Sequence, residues 1–412
     1  MIEYSYCIIF FILTIFRTSK CKNLVRYSGG WIYVNGYWYV FYFYLISMMT
    51  GIPETNYITS AVLFIVMLGT KRCFFNPYLY KTFMIWMVLM VLWYVLNLTR
   101  STNLLYGINQ VMKLIIPILI FIFAYNGFNS KESILLFFEK ISKMSWVYMG
   151  VCLFCFLTGS LYFYPYYGIE TIVFPWGLYL IRRNRIYLIM CLLCLSFFLC
   201  YVKRTCLLGL LGMCLIYFIY KYRKKALIPM LLLSLIFLLA IVYVPAIRDR
   251  VFFEGVDIDL FALFSADTYD LINSNGRNNV WQMLLEKFYV GNELIGSGTG
   301  NVKSWLVSPD NWSREHFMRV HNDWLQILCE SGLIGVSLLS LMFINMYRKT
   351  YITYHSSTVP FTRMISIVMA MSITVTIIHL FFENCMGVVG FSMPAFCAAI
   401  YFRSLEFEKT IN

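Results

Sequence analysis

The sequence predicts an all-α polytopic membrane protein with about 11–13 transmembrane helices and one long extracytoplasmic loop. Three observations carry this expectation. The 412 residues are 60% hydrophobic and 19% aromatic but only 13% charged, with a mean hydropathy of +0.71, whereas soluble domains run about 45–50% apolar and about 25% charged. The apolar residues fall in runs close to the roughly 20 that cross a bilayer core. The basic residues gather in the short connections between alternate runs. A globular interior of this size could not hide so much apolar surface, which excludes a water-soluble enzyme. Disordered chains are polar and poor in aromatics, which excludes disorder.

The runs place spans near 4–16, 31–49, 57–70, 81–98, 111–126, 144–163, 169–181, 186–201, 205–220, 226–244, 323–347, 363–382 and 386–402. The first, third and seventh are short enough to tilt, thin the bilayer or re-enter it. The basic cluster near the N-terminus follows the first run rather than leading it, so that run is expected to be a retained helix and not a cleaved signal. The whole chain, 1–412, reads as a single integral membrane domain.

Orientation follows from charge. The connections holding Arg17–Arg26, Lys71–Lys81, Lys131–Lys143, Arg182–Arg185, Lys221–Lys225, Arg348–Arg363 and the C-terminal tail carry 22 of the 33 basic residues. Short loops rich in Lys and Arg stay in the cytoplasm. The other side holds 11, seven of them in residues 245–320, a loop long enough for charge to matter little. That loop is therefore expected to be extracytoplasmic. The net charge of +13 serves orientation in this reading. Nucleic acid is not expected, since no soluble basic domain is present to bind it.

The loop contains no cysteine and is no disulfide scaffold. Within it, Val280, Trp281, Leu284, Leu285 and Phe288 recur at helical spacing, with Asn275 as a cap before them. An amphipathic helix lying on the outer leaflet fits this pattern. A glycine-rich turn follows, Gly296-Ser297-Gly298-Thr299-Gly300-Asn301. It has no Gly-Lys-Ser/Thr after it and does not join a strand to a helix, so a nucleotide loop is not expected. His316, His321 and Asp323 match no metal-ligand spacing, and no metal or other cofactor is expected. The CxxC pairs Cys152/Cys155 and Cys191/Cys194 lie in apolar helices, where thiols pack as small hydrophobes.

The informative residues are the polar ones that spans should avoid. In this orientation Lys113, Glu170, Lys203, Arg204, Glu330, His379 and Glu383 all fall toward the extracytoplasmic face. A transporter of charged substrate would more naturally carry its charges near the midplane. The pattern points instead to work at the outer leaflet on something anionic. Arg204 either marks a helix end by snorkelling or uses its planar fork on phosphate oxygens. Arg277 opens the amphipathic helix, where a cation gains nothing from that helix's dipole. His321 stands at the surface just before a helix that Asn322 or Asp323 can cap. It is either inert or a proton carrier near neutral pH. Glu330 lies roughly 13 Å further along a straight helix, and Gly332 and Gly335 read as helix-packing positions.

Three features resemble the O-antigen polymerase/ligase superfamily, bacterial inner-membrane enzymes that act on lipid-linked glycans at the outer leaflet, and this implies an active site facing the periplasm or cell exterior. They are Arg204-Thr205 opening a span; Gly276-Arg277 followed by Trp281 and the glycine-rich turn; and His321-Asn322-Asp323-Trp324-Leu325 running to Glu330-Ser331-Gly332-Leu333-Ile334-Gly335. The resemblance covers about residues 200–340. It implies a metal-independent glycosyltransferase of the multi-spanning C type with an undecaprenyl-diphosphate-linked donor. Arg204 and Arg277 would bind the diphosphate and His321 would assist at the acceptor hydroxyl. Lys203, Arg319, Asn322 and Glu330 would be substrate-binding neighbours. The sequence departs from the family in having Lys203 where a small residue is common.

The function expected from this resemblance is polymerisation of lipid-linked repeat units into O-antigen, capsular polysaccharide or exopolysaccharide. The sister reading is a ligase that moves finished polymer to a lipid A-core acceptor. A flippase for lipid-linked oligosaccharide is the rival of another class. The partners implied are lipid-linked donor and acceptor, with a chain-length regulator and a flippase in the same pathway.

Overall fold

A computed structural model describes residues 81–128, 130–139, 172–192, 204–245, 277–308, 320–382 and 391–409, together with positions 142, 248, 251 and 252. The expected spans 4–16, 31–49, 57–70 and 144–163 lie outside the described residues, as do Lys203 and Arg319. Among the described residues the chain is helical and contains no strand. Five helical stretches are long and apolar enough to cross a membrane, in keeping with an all-α polytopic membrane protein.

The first is α1, Thr82–Asn97, which tightens into one 3₁₀ turn at Leu98–Arg100. Next come α2, Leu104–Gly127, capped by the Asn103 side chain, and α3, Val173–Arg182. They are followed by α4, Arg204–Tyr222, and α5, Leu227–Tyr243. Between α4 and α5, Arg223 adopts a left-handed φ of 52°, which separates the two helices. The loop region supplies α6, Arg277–Leu284, and α7, Asn301–Leu306. The chain ends in α8, Asp323–Ser356, α9, Pro360–Phe382, and α10, Ser392–Lys409.

One large core holds the bundle together. It draws on α1–α4 and α8–α10, and α9 and α10 are buried along most of their length. At one end of the bundle the basic residues collect. There Glu406 accepts from Lys81 at 2.7 Å and Arg403 at 2.7 Å, and from the Tyr125 hydroxyl, while Arg403 also donates to the Phe128 carbonyl. This joins the start of α1, the end of α2 and the end of α10. We refer to this as the basic end, and to the opposite one as the distal end.

The expected single span over 323–347 is corrected. Helix α8 breaks at Gly332, which has φ 64° and ψ −167°, a region essentially restricted to glycine. Residues as far apart as Trp324 and Phe343 would stand about 28 Å apart on a straight helix, yet their rings are 6.2 Å apart. Likewise a Cβ built on Gly335 would lie 3.4 Å from the Ile327 side chain. The first segment, Asp323 to Ser331, therefore folds back against the second. Gly332 and Gly335 act as close-packing positions, as expected, and Gly332 is also the corner.

The corner exposes backbone groups that need partners, and residues 293–298 provide them. Leu333 N donates to Glu293 O at 2.8 Å, Ile334 N to Leu294 O at 3.2 Å, Ser297 N to Cys329 O at 2.9 Å and Gly298 N to Glu330 O at 3.1 Å. Trp93 of α1 donates its indole N–H to Ser331 O at 2.9 Å. On its other side the glycine-rich turn packs on the α1–α2 corner. Thr299 Oγ1 donates to Tyr94 O at 2.9 Å, and Asn301 Oδ1 accepts from Thr102 N at 2.7 Å. Arg100 donates to Gly296 O and, at 2.8 Å, to Asn292 Oδ1. The turn is thus a structural wedge between two helical corners.

Gly332→Ala is expected to lose about 1–3 kcal/mol from backbone strain alone, with further loss because the new Cβ meets the Leu294 carbonyl. Thermal denaturation of the purified protein in detergent checks this as a lowered midpoint. A second prediction concerns the basic end. Burial works to raise the Glu406 carboxyl, but hydrogen bonds from Lys81, Tyr125 and Arg403 outweigh it and hold the group below its ordinary value of 4.5. The stability this supplies is full above that value and is lost as pH falls through the lowered one. Acid unfolding of wild type and Glu406→Gln should therefore differ mainly above pH 4.5, the variant being the less stable, and converge below it.

Candidate functional site

The distal end brings together the elements that carry Arg204, Arg277 and His321. Helix α4 meets α8 near the basic end, where the Tyr220 hydroxyl lies 2.8 Å from Thr350 Oγ1. Half-way up, Gly212 faces Thr374 and Ile378 of α9. Arg204, the first residue of α4, lies about 12 Å beyond Gly212 along the helix. That brings its backbone level with the end of α9 at Phe382.

Arg277 begins α6 and donates from Nη1 to the Phe382 carbonyl at 3.3 Å. Carbonyls in the last turn of a helix carry the negative end of its dipole, and Phe382 is the last described residue of α9. A cation is thus favourable there, which explains a placement that the dipole of α6 does not. One N–H is engaged, and a guanidinium has five, so most of its donors are left for another acceptor.

One turn later on the same face, Trp281 donates its indole N–H to Val320 O at 2.8 Å. This fixes the peptide that leads into His321, which adopts a left-handed φ of 53°. Left-handed backbone is uncommon outside glycine and is a strained conformation that surrounding contacts must hold. Beyond it, the Asn322 side chain accepts from Leu325 N at 3.0 Å and caps α8. Trp324 stacks on Phe381 with centroids 5.3 Å apart and donates to Ile377 O at 3.5 Å. Both Arg277 and the turn at His321 are therefore moored to the last two turns of α9.

The amphipathic helix is correct in its periodicity, but its expected surface is corrected. Val280, Leu284 and Phe288 pack with Val302 and Leu306 of α7 and with Val320 and Cys329. The apolar stripe meets protein rather than a leaflet. This small cluster holds α6, α7 and the folded-back start of α8 as one unit.

Glu330 differs from the substrate-facing residue expected. It is 1% exposed. Its Oε1 accepts from Gln326 Nε2 at 3.2 Å, and its carboxylate faces backbone amides of Gly300 and Lys303 and feels the charge of Lys113. These contacts pin the helix corner to the start of α7. Asn322 has a structural task as a cap, and Asp323 beside it is 1% exposed.

Arg100 and Asn301 went unrecognised in the sequence as structural residues. Each bridges the α1–α2 corner to the glycine-rich turn. The available signals were a charge just past the end of a span, and an Asn closing a Gly-x-Gly-x-Gly run.

Residues 188–340 match a family model, Wzy_C, described as O-Antigen ligase. This segment runs from residue 188, ahead of α4, to the second part of α8, and it contains Arg204, Arg277 and His321. It is consistent with the O-antigen polymerase/ligase superfamily and supports a glycosyl-transfer function of that type in a multi-pass membrane protein. No curated protein matches the chain.

Trp281→Phe removes the donor to Val320 and trims the pyrrole ring, leaving a smaller aromatic side chain against the cluster. A hydrogen bond of this kind is worth about 0.5–1.5 kcal/mol. The variant should accumulate in membranes near wild-type levels with a slightly lowered thermal midpoint. Circular dichroism melting of the purified pair checks the size of the change.

Proposed function

We propose, taking the O-antigen ligase domain as premise, that the protein transfers a growing polyprenyl-diphosphate-linked glycan onto the next lipid-linked repeat unit. It is then a polymerase, working on the extracytoplasmic leaflet without metal or nucleotide sugar. The observation that carries this reading is the gathering of the Arg204, Arg277 and His321 backbones at the end opposite the basic one. Cytoplasmic loops are the basic ones, so this end faces outward.

The chemistry follows from the groups. Breaking the anomeric C–O bond leaves negative charge on the lipid diphosphate, and fixed guanidinium groups stabilise that charge best where water is scarce. Arg204 and Arg277 take this role. The acceptor hydroxyl must lose a proton as it attacks, and His321 accepts it or orients the hydroxyl for attack. Lys203 and Arg319, next in sequence to Arg204 and Val320, add positive charge that steers anionic lipid toward the site.

The ligase reading, with a lipid A-core acceptor, uses the same residues and differs only in acceptor. The description of the matched family favours it. A chain-length regulator and a flippase would be further partners in the pathway. The product is O-antigen, capsule or exopolysaccharide.

Surface glycan and the lipid-linked pool of a strain lacking the gene separate these readings. Surface glycan cut to single repeat units identifies the polymerase. Bare acceptor with finished polymer on its lipid identifies the ligase. Repeat units trapped on the cytoplasmic leaflet would mean a flippase and overturn the proposal. In the polymerase, Arg277→Ala and His321→Ala should each reduce polymer by about 10²-fold or more at unchanged membrane levels. Wild-type polymer from either variant removes that residue from the mechanism.

A further inference from the structure

The segment between α6 and the glycine-rich turn, residues 290–295, combines an apolar exterior with a backbone that is satisfied inward. Val290, Leu294 and Ile295 are 64%, 61% and 42% exposed, which is unusual for a loop tip carrying three large aliphatic side chains. The carbonyls of this region are largely taken up by the protein. Tyr289 O accepts from Asn292 N, Asn292 O from Gly296 N, Glu293 O from Leu333 N and Leu294 O from Ile334 N. Ile295 O lies 3.2 Å from the Asn97 side chain, turned to donate to it, and Gly296 O accepts from Arg100.

Irregular backbone is tolerated at membrane depth only where protein satisfies its polar groups. The carbonyls of residues 292–296 meet that condition. Its level is also fixed, since Glu293 and Leu294 pair with the first turn after the Gly332 corner, and Asn97 closes the last turn of α1. The flanking residues there are Leu333 and Leu96, both exposed. Each ends an exposed apolar row that runs down a spanning helix, through Leu341 and Ile344 on α8 and through Leu92 and Leu89 on α1. The tip prolongs two lipid-facing rows.

We infer that the tip dips into the bilayer at the distal end, with Val290, Leu294 and Ile295 in contact with phospholipid acyl chains and the exposed Glu293 carboxylate at the headgroup level. The loop is then anchored in the leaflet at its tip, while the apolar face of α6 is held by protein. This inference does not depend on the catalytic reading.

The test uses the full chain in nanodiscs of phosphatidylethanolamine and phosphatidylglycerol. A benzophenone side chain is introduced as Leu294→benzoylphenylalanine, and separately as Val290→benzoylphenylalanine. Ile344 serves as a lipid-facing reference site and Glu286 as a solvent-facing one. After irradiation, mass spectrometry reads phospholipid adducts. Adducts at 290 or 294 in yields similar to 344, with at least fivefold less at 286, are expected. Adducts at 344 but at neither tip position would overturn the inference. Cross-links from the tip to a second copy of the chain in place of lipid would also overturn it. Should the Leu294 variant fail to fold, Val290 and Ile295, which sit on either side of it, give the same reading.

Discussion

A membrane helix that stops part-way leaves amides and carbonyls that lipid cannot satisfy, and at Gly332 this chain meets that need with its own extramembrane loop. Four backbone hydrogen bonds join residues 293–298 to residues 329–334. The same loop is gripped from behind by Arg100, Thr299 and Asn301 against the corner between α1 and α2. Glu330 then ties the corner to α7. Every element at the distal end takes its position from this junction. The fold-back of α8 brings His321 beside the end of α9, and the wedge of loop keeps the fold-back in place.

The arrangement divides the protein into a large apolar bundle and a small cap. The bundle is conventional in its packing, and its basic end is knitted by the Glu406 network. The cap of α6, α7 and the start of α8 has its own apolar cluster, and it touches the bundle through polar contacts at defined points. Arg277 meets the end of α9 and Trp324 meets Ile377 and Phe381, while Trp281 ties the peptide before His321 to α6 within the cap. A charge at a helix C-terminus and an indole on a carbonyl are directional contacts, unlike apolar burial. They suit a region whose task in the proposed reaction is to hold two kinds of polar group at a fixed separation.

Much of the bundle was legible in the sequence because hydropathy is a local property. The runs 81–98, 205–220 and 226–244 correspond closely to α1, α4 and α5. The motifs read over about 200–340 fall inside the matched 188–340. The break in α8 was not legible, because apolar residues continue past Gly332 and composition carries no information about φ. Periodicity located the buried face of α6 correctly. It could not say whether lipid or protein covers that face, since both satisfy the same stripe. The substrate-binding role of Glu330 comes from the family resemblance alone, and nothing in its sequence position signals that its carboxylate is buried against the start of α7. Arg100 escaped notice because its partners, the Gly296 carbonyl and the Asn292 side chain, lie almost two hundred positions away.

The junction at Gly332 also bears on how such a loop can change over time or in the laboratory. A loop whose backbone is shared with two helical corners is not a portable module. Moving residues 277–308 into a related chain would also require residues 97–107 and 329–334 to travel with them, since each segment supplies partners that the others lack. The tip side chains can vary among apolar residues, while the backbone beneath them is restricted. The segment can be recoded far more readily than it can be lengthened or shortened.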